Sequence, residues 1–143
     1  MIENADNLPF DIVLRDGSTL ALRAARATDV SALCVFFEAL SPTSRYSRFF
    51  SMACPDAETV ERLVPRSAEE GAALVGEVGN DVVAFAAYHV DGIHRERAEV
   101  AFAIADRLHG RGIGTRVLER LADLARPAGV RIFDADVLIG NHK

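Results

Sequence analysis

Cysteine and histidine are scarce in this sequence, which limits the redox and metal chemistry that it can carry. Only two cysteines occur, Cys34 and Cys54, and they form no C-x-x-C motif. The four histidines, at positions 89, 94, 109 and 142, show neither H-x-x-x-H spacing nor a pairing with the cysteines. We therefore expect reduced thiols and no dedicated metal site.

Long apolar runs and an excess of basic residues are also missing. No run approaches the roughly 18 to 20 apolar residues of a membrane-spanning helix, and the N-terminal MIENADNLPF lacks the basic and apolar regions of a signal peptide. The 16 basic and 21 acidic residues give a net charge of −5, which disfavours a large nucleic-acid surface. We expect one soluble, cytoplasmic globular domain with no membrane and no nucleic-acid partner.

The N-terminal half predicts a hairpin followed by helices. Alternating runs at 11–15 and 19–24 flank Asp16-Gly17, a hairpin signal. Thr28 is predicted to cap a first helix, and Ser41-Pro42 to end it and start another. Asp56 is predicted to cap a third, short helix.

The C-terminal half predicts a meander of strands and one more helix. Strands are predicted at 73–78, 81–90 and 97–106, a helix after 112 that stops at Pro127 and Gly129, and a strand at 131–138. The strand, helix, strand order at the end implies parallel pairing there. The predicted fold class is α+β, a mixed sheet with helices on its faces.

The stretch HGRGIGT, residues 109–115, places three glycines at alternate positions directly before the last helix. Glycine adopts backbone angles that other residues avoid, and lets a ligand approach the main chain. A helix N-terminus presents unpaired N–H groups and the positive end of the helix dipole. The stretch therefore predicts an anion site, and the basic residues around it agree: Arg107, His109, Arg111, Arg116 and Arg120. The plainer alternatives are a tight turn and a solvated helix face.

Three phosphate-binding motifs compete for this stretch. A P-loop requires G-x-x-x-x-G-K-[ST], and neither this spacing nor a lysine follows Gly110. A dinucleotide fingerprint beginning at Gly110 would need glycine where Thr115 stands, although Asp134 and Asp136 lie about 20 residues downstream. The third motif is the acetyl-CoA signature Gln/Arg-x-x-Gly-x-Gly/Ala of the GNAT family of N-acetyltransferases, which HGRGIGT resembles. His109 departs from its first position.

The resemblance extends over residues 11–141, which look like the acetyltransferase domain of bacterial protein lysine acetyltransferases that modify acyl-CoA synthetases. LRDGSTLALRAARATD, ALSPTSRYSRFF, AEVAFAIAD, HGRGIGT and FDADVL occur in that family's order. The resemblance implies a GNAT-like, mostly antiparallel mixed sheet flanked by helices. It also implies a C-terminal helix and two strands that are not in this sequence, so we interpret residues 1–143 as one C-terminally truncated, acetyl-CoA-dependent N-acetyltransferase domain.

The same resemblance implies how acetyl-CoA is held. The diphosphate would be bound by the turn and the start of the helix, through His109, Gly110, Arg111, Gly112, Ile113, Gly114 and Thr115. The pantetheine arm would lie beside the preceding strand, in contact with the main chain of Phe102, Ala103 and Ile104, where one N–H would polarise the thioester carbonyl. Asn141 would touch the same arm.

The resemblance further implies that Glu99, in AEVAF, is the general base. A lysine amine is neutral in only about one molecule in 2,500 at pH 7, so its proton must be removed before attack. Alternation places Glu99 on one face of its strand with Ala101, Ala103 and Ala105, where we expect the carboxylate to be poorly solvated. The alternatives are a carboxylate paired with Arg97, and alanines that serve close helix packing.

The acceptor is predicted to be a primary amine, with a protein lysine favoured by the resemblance. The segment SPTSRYSRFF would form part of its groove, through Arg45, Tyr46, Arg48, Phe49 and Phe50, although helix packing explains these residues equally well. A second class of function is a sensor or regulatory module that binds acetyl-CoA without turnover. A homo-oligomer is a further expectation.

Overall fold

The computed structural model describes residues 10–40, 56–108 and 110–134. These residues form six strands: β1 (Phe10–Val13), β2 (Thr19–Ala24), β3 (Gly71–Val78), β4 (Asp81–Val90), β5 (Arg97–Ile104) and β6 (Ile132–Asp134). They also form three α-helices: α1 (Val30–Ala39), α2 (Ala57–Leu63) and α3 (Ile113–Ala125). Short 3₁₀ turns precede α1, follow β5 and follow α3.

The strands form a single sheet in the order β1-β2-β3-β4-β5-β6. Every neighbouring pair is antiparallel except β5 and β6, which run parallel with Arg97 opposite Ile132 and Glu99 opposite Asp134. Helix α3 connects these two parallel strands, as the order of elements predicted. The predicted α+β class with a mixed, mostly antiparallel sheet is therefore confirmed.

Helices cover both faces of this sheet. On one face, Val117 and Leu121 of α3 pack against strand residues such as Leu22, Leu74 and Val100. On the other face, the apolar residues of α1 and α2 pack against β3 and β4 through Phe36, Phe37, Val60, Val75 and Phe85. None of the helices in the described ranges has the length and apolar character required to cross a bilayer.

The local predictions hold in most places. The first hairpin turns at Asp16-Gly17, where Gly17 has a positive φ of 89°. Asp56 caps α2, since its carboxylate accepts a hydrogen bond of 2.9 Å from the backbone N–H of Thr59. Helix α3 ends at Ala125, and a 3₁₀ turn containing Pro127 stops at Gly129 in the left-handed conformation.

The predicted cap at Thr28 is wrong. Ala27–Asp29 already form a 3₁₀ turn, so Thr28 lies inside helical backbone and cannot take the extended conformation of an N-cap. The carboxylate at this end of the helix is that of Asp29, which accepts a 2.6 Å hydrogen bond from the backbone N–H of Arg26. The predicted break at Ser41-Pro42, the helix after it and residues 135–138 of the last predicted strand lie outside the described residues.

Candidate functional site

The glycine turn before α3 uses backbone conformations that side chains disfavour. Gly110 and Gly112 have φ angles of 76° and 77°, and Gly112 is the N-cap of α3. A Cβ built on either glycine meets no other atom within 4 Å. The two glycines are therefore required by backbone angle, and the space in front of them is open.

The amides at the start of α3 have no acceptor among the described residues. The first hydrogen bond of the helix runs from the N–H of Arg116 to the carbonyl of Gly112, at 3.3 Å, and no side chain caps Gly112. Within residues 10–40, 56–108 and 110–134, the N–H groups of Gly112, Ile113, Gly114 and Thr115 donate to no backbone or side-chain acceptor. Four donors thus point out of the helix end at an open surface, which is the arrangement that binds anions.

The third glycine of the motif has a packing role. A Cβ on Gly114 would stand 3.2 Å from the Cε2 atom of the Phe102 ring, so the ring lies directly over this residue. Phe102 is 40% exposed, and its ring therefore borders both the helix start and solvent. The absence of a side chain at Gly114 lets β5 and α3 approach each other beside the open amides.

The charges around the turn differ from the predicted set in one position. Arg107, Arg111 and Arg116 are exposed. Arg120 instead lies over the ring of Phe10, 3.7 Å from its centre, and makes an ion pair with Asp123, so it belongs to the packing of α3 against β1. The prediction that Arg120 joins the cationic group at the turn is wrong, because an apolar ring is available to the guanidinium.

A carboxylate of the first hairpin lies within electrostatic reach of this turn. Hydrogen bonds from Ser18 hold the pKa of Asp16 below its usual range, and the charge of Arg111 contributes in the same direction. The surface that faces an anion therefore carries one acidic neighbour as well as the arginines.

Among the described residues, strand β5 is paired on both sides at its beginning. Its first three residues pair with β6, whereas Phe102, Ala103 and Ile104 pair with β4 alone among the described residues. Among the described residues, the main chain of Phe102 and Ala103, two of the predicted pantetheine contacts, thus has a strand neighbour on one edge, β4. Side chains of the same region divide largely as the alternation predicted: Val100 and Ile104 pack in the cluster with α3, and Ala103 packs against the cluster formed with α1 and α2, whereas Ala105 packs against both. Helix packing is therefore one role of these alanines.

Glu99 lines a cavity of about 330 Å³ together with His89, Val90, Asp91, Ala98 and Asp134. The Asp91 carboxylate binds the N–H groups of His94 and Ile93, which lowers its pKa, and Asp134 binds Arg97. Among the described residues, the carboxylate of Glu99 makes no hydrogen bond and no ion pair. Glu99 is thus the carboxylate of this cavity that has no such partner.

Two expectations about Glu99 do not hold. Its side chain is exposed where it lines this cavity, so the expectation of poor solvation is wrong. It is also not paired with Arg97, whose guanidinium binds Asp134 through Nε at 3.0 Å and Nη2 at 2.6 Å. The sequence pointed to Asp134 only as a candidate for a dinucleotide site, and only the parallel register of β5 and β6 brings it next to Glu99.

Several predicted site residues lie outside the described residues. They are His109 and Asn141 on the cofactor side, and Arg45, Tyr46, Arg48, Phe49 and Phe50 on the acceptor side. Among the described residues, no group of three or more His, Cys, Asp or Glu side chains is arranged to hold a metal ion. A larger groove of about 510 Å³ lies between the end of α3 and β6, away from the glycine turn, and its lining includes Ala122, Arg126 and Phe133.

In this mixed sheet, a glycine turn links β5, the strand next to the edge strand β6, to a helix whose N-terminal amides suit an anionic ligand. The model of the acetyltransferase (GNAT) family matches residues 37–143. The chain belongs to this family, and is by family and fold an N-acetyltransferase domain. Members of the family bind an acyl-CoA and an amine acceptor, which favours an acyl-CoA over a dinucleotide as the ligand class of this fold.

Individual relatives show which members of the family this chain resembles. The chain is 30% identical over 135 residues to acetyltransferase Pat of Mycolicibacterium smegmatis, covering 93% of this chain and 40% of that protein. The crystal structure of the GNAT domain of S. lividans PAT superposes with a TM-score of 0.83 at 33% identity, covering 92% of this chain and 79% of that one. A cAMP-binding acyltransferase from Mycobacterium smegmatis gives a TM-score of 0.61 at 29% identity, covering 93% and 39%. The chain is thus similar to protein acetyltransferase domains and spans about 40% of the length of the Pat relative.

Proposed function

We propose that this domain transfers an acetyl group from acetyl-CoA to a primary amine, and that the physiological amine is a lysine side chain of a protein. Family membership supports acyl transfer in general. The observation that carries the specific proposal is the row of amides at residues 112–115, which have no acceptor among the described residues and lie at the start of α3, just after β5. A diphosphate that accepts from these N–H groups gains about 1.5 to 3 kcal/mol per charge-assisted bond before desolvation.

The distance along β5 favours a ligand with a long arm. Five residues separate Glu99 from Ile104 at the end of the strand, which corresponds to about 16 Å at the rise of an extended chain. A nucleotide held at the glycine turn would end far short of Glu99. Coenzyme A carries an extended pantetheine arm, and the edge of β5 at Phe102–Ile104 supplies main-chain groups along its path.

Glu99 is the proposed general base. In the direct mechanism, the lysine amine loses a proton to the Glu99 carboxylate and its nitrogen attacks the thioester carbon. A main-chain N–H of Phe102–Ile104 would stabilise the charge on the carbonyl oxygen. As the C–S bond then breaks, the nitrogen releases its second proton to solvent, and the CoA thiolate takes up a proton from solvent. Glu99 fits this role because its carboxylate opens into the cavity and has no described partner that would compete for its lone pairs.

The test is a thiol-release assay with acetyl-CoA and a lysine-bearing protein, repeated with a small polyamine in place of the protein. We expect release that depends on the amine and is faster with the protein. Glu99→Gln should lower kcat on the order of 100-fold, while calorimetry finds acetyl-CoA affinity unchanged, because the base acts in the chemical step.

The matched control for this substitution is Glu96→Gln, which removes an exposed carboxylate from the turn before β5 and should leave the rate within about twofold. Absence of thiol release by the unchanged protein, with acetyl-CoA bound, would instead identify a binding module. A rate for Glu99→Gln equal to that of Glu96→Gln would remove Glu99 from the mechanism.

A further inference from the structure

Three charged side chains lie side by side on the face of the sheet that holds the proposed base. Arg97 and Glu99 are two residues apart on β5, so they point to the same face. Asp134 of β6 is the register partner of Glu99 in the parallel pair and shares that face. Arg97 therefore shares one face of the sheet with two carboxylates, those of Glu99 and Asp134.

The guanidinium of Arg97 binds one of these carboxylates with both ends of its fork. Nε donates to Oδ2 of Asp134 at 3.0 Å, and Nη2 donates to Oδ1 at 2.6 Å. A bidentate pair of this kind fixes the orientation of the guanidinium. We propose that Asp134 is a positioning residue for the transfer reaction: it holds Arg97 away from Glu99 and so keeps the base unpaired. This inference rests on the proposed function.

The alternative arrangement has a clear chemical cost. Arginine stays protonated at any working pH, so a guanidinium bound to Glu99 would favour the ionised carboxylate and oppose its uptake of a proton. It would also occupy the oxygens that must face the amine. Arg97 is the arginine on this face of β5, whereas His89 is the register partner of Glu99 on β4, and Asp91 is itself acidic and bound to its own turn.

Stability does not explain this pair. The side chains of Arg97 and Asp134 are 41% and 47% exposed. Ion pairs at such positions typically contribute about 0 to 1 kcal/mol to folding. The bidentate geometry is better explained if Asp134 determines which carboxylate Arg97 binds than if the pair serves to hold the sheet together.

The test compares Asp134→Asn with the double variant Arg97→Gln/Asp134→Asn in the thiol-release assay. We expect Asp134→Asn to lower kcat about tenfold with KM for acetyl-CoA unchanged, because the freed Arg97 turns to Glu99. Removing Arg97 as well should restore kcat to within about threefold of the unchanged protein. Both variants lack the ion pair, so any loss of sheet structure affects them equally and only the presence of Arg97 differs.

A matched control separates position from net charge. The double variant Arg95→Gln/Asp134→Asn also removes one arginine, from the turn just before β5. Arg95 is exposed, and its guanidinium donates to the carbonyl of Glu69. This double variant should remain as slow as Asp134→Asn. The inference is overturned if Asp134→Asn keeps its full rate, or if the Arg97 double variant is no faster than the Arg95 one. Failure of the proposed function gives a different result, namely no amine-dependent thiol release in the unchanged protein.

Discussion

At the scale of single residues, the glycine turn shows which parts of a binding site a sequence can reveal. Gly110 and Gly112 were readable because left-handed backbone strongly favours glycine, and both have positive φ. Gly114 was predicted to belong to the site only because it is part of the motif. Its contact with the Phe102 ring depends on how closely β5 and α3 approach, which no local pattern encodes. The ring partner of Arg120 was hidden for the same reason.

Gly112 offers a direct test of the anion site. A branched side chain there would be strained by a φ of 77°, whereas asparagine and aspartate tolerate this conformation best. Gly112→Asp places a carboxylate among the open amides. We expect it to bind CoA on the order of tenfold more weakly than the isosteric Gly112→Asn, because only the charge differs between them. Isothermal calorimetry measures both affinities.

Thermal unfolding of the same variants supplies the control. A negative charge at a helix N-terminus is favourable by about 0.3 to 1 kcal/mol, so Gly112→Asp should unfold at a temperature no lower than Gly112→Asn. Affinity and stability are thus expected to change in opposite directions. Gly79→Asp, in the turn between β3 and β4 with a φ of 62° and open space, should leave CoA affinity unchanged. Equal affinities of Gly112→Asp and Gly112→Asn would mean that no anion binds at these amides.

At the scale of secondary structure, periodic segments were predicted well and their ends less well. The meander, α3 and the parallel β6 follow from alternation, helical spacing and the order of elements. The start of α1 was misplaced because Thr28 and Asp29 are both acceptable caps in sequence, and tertiary contacts decide between them. The deciding contact is Arg23 of β2, which binds Asp29 and Glu77 together.

This Arg23 network predicts an acid-sensitive joint between β2, β3 and α1. Arg23 donates to both oxygens of Asp29, at 2.8 and 2.9 Å, and to Glu77 at 3.0 Å, and Asp29 is 6% exposed. The hydrogen bonds from Arg23 hold the pKa of Asp29 below its usual range, against the opposing effect of burial. A carboxyl group whose pKa is lowered by folding stabilises the native state above its unfolded pKa, near 4, and loses that contribution as the pH falls through the folded pKa.

We therefore expect Asp29→Asn to lower the free energy of unfolding by roughly 1 to 3 kcal/mol at pH 7. The difference from the unchanged protein should shrink below about pH 4, because protonation removes the same charge from Asp29. Urea unfolding at a series of pH values measures this. Asp81→Asn, which removes an exposed carboxylate next to the β3–β4 turn, serves as the control and should change stability by less than about 0.5 kcal/mol. A constant difference down to pH 3 would assign the loss to packing.

At the scale of the whole molecule, the fold places the proposed base and the glycine turn towards opposite ends of one strand. Strand β5 carries Glu99 near its start and leads through a 3₁₀ turn into the glycine turn and α3. The class of fold was predictable because the residue pattern of each segment indicates a helix or a strand. The order strand, helix, strand also predicted that α3 connects β5 to a parallel neighbour. The register of β6 against β5 was not predictable from the sequence. The ion pair of Arg97 and Asp134 beside the proposed base depends on this register, and so it was not predicted either.

The overall charge sets a last test, because the protein is acidic while its proposed ligand is an anion. The net charge of −5 repels CoA at long range, whereas the exposed Arg111 and Arg116 flank the open amides. Salt screens charges over about 10 Å at 0.1 M, so the sign of the salt effect reports which field dominates. We expect local attraction to dominate, and CoA affinity to fall several-fold between about 50 and 500 mM salt.

Calorimetry across this range should find a shallower dependence of CoA affinity on salt for Arg111→Gln. Arg66→Gln makes the same change in net charge in the segment before β3 and should retain the slope of the unchanged protein. An affinity that rises with salt would mean that the negative field of the whole molecule outweighs the arginines at the turn.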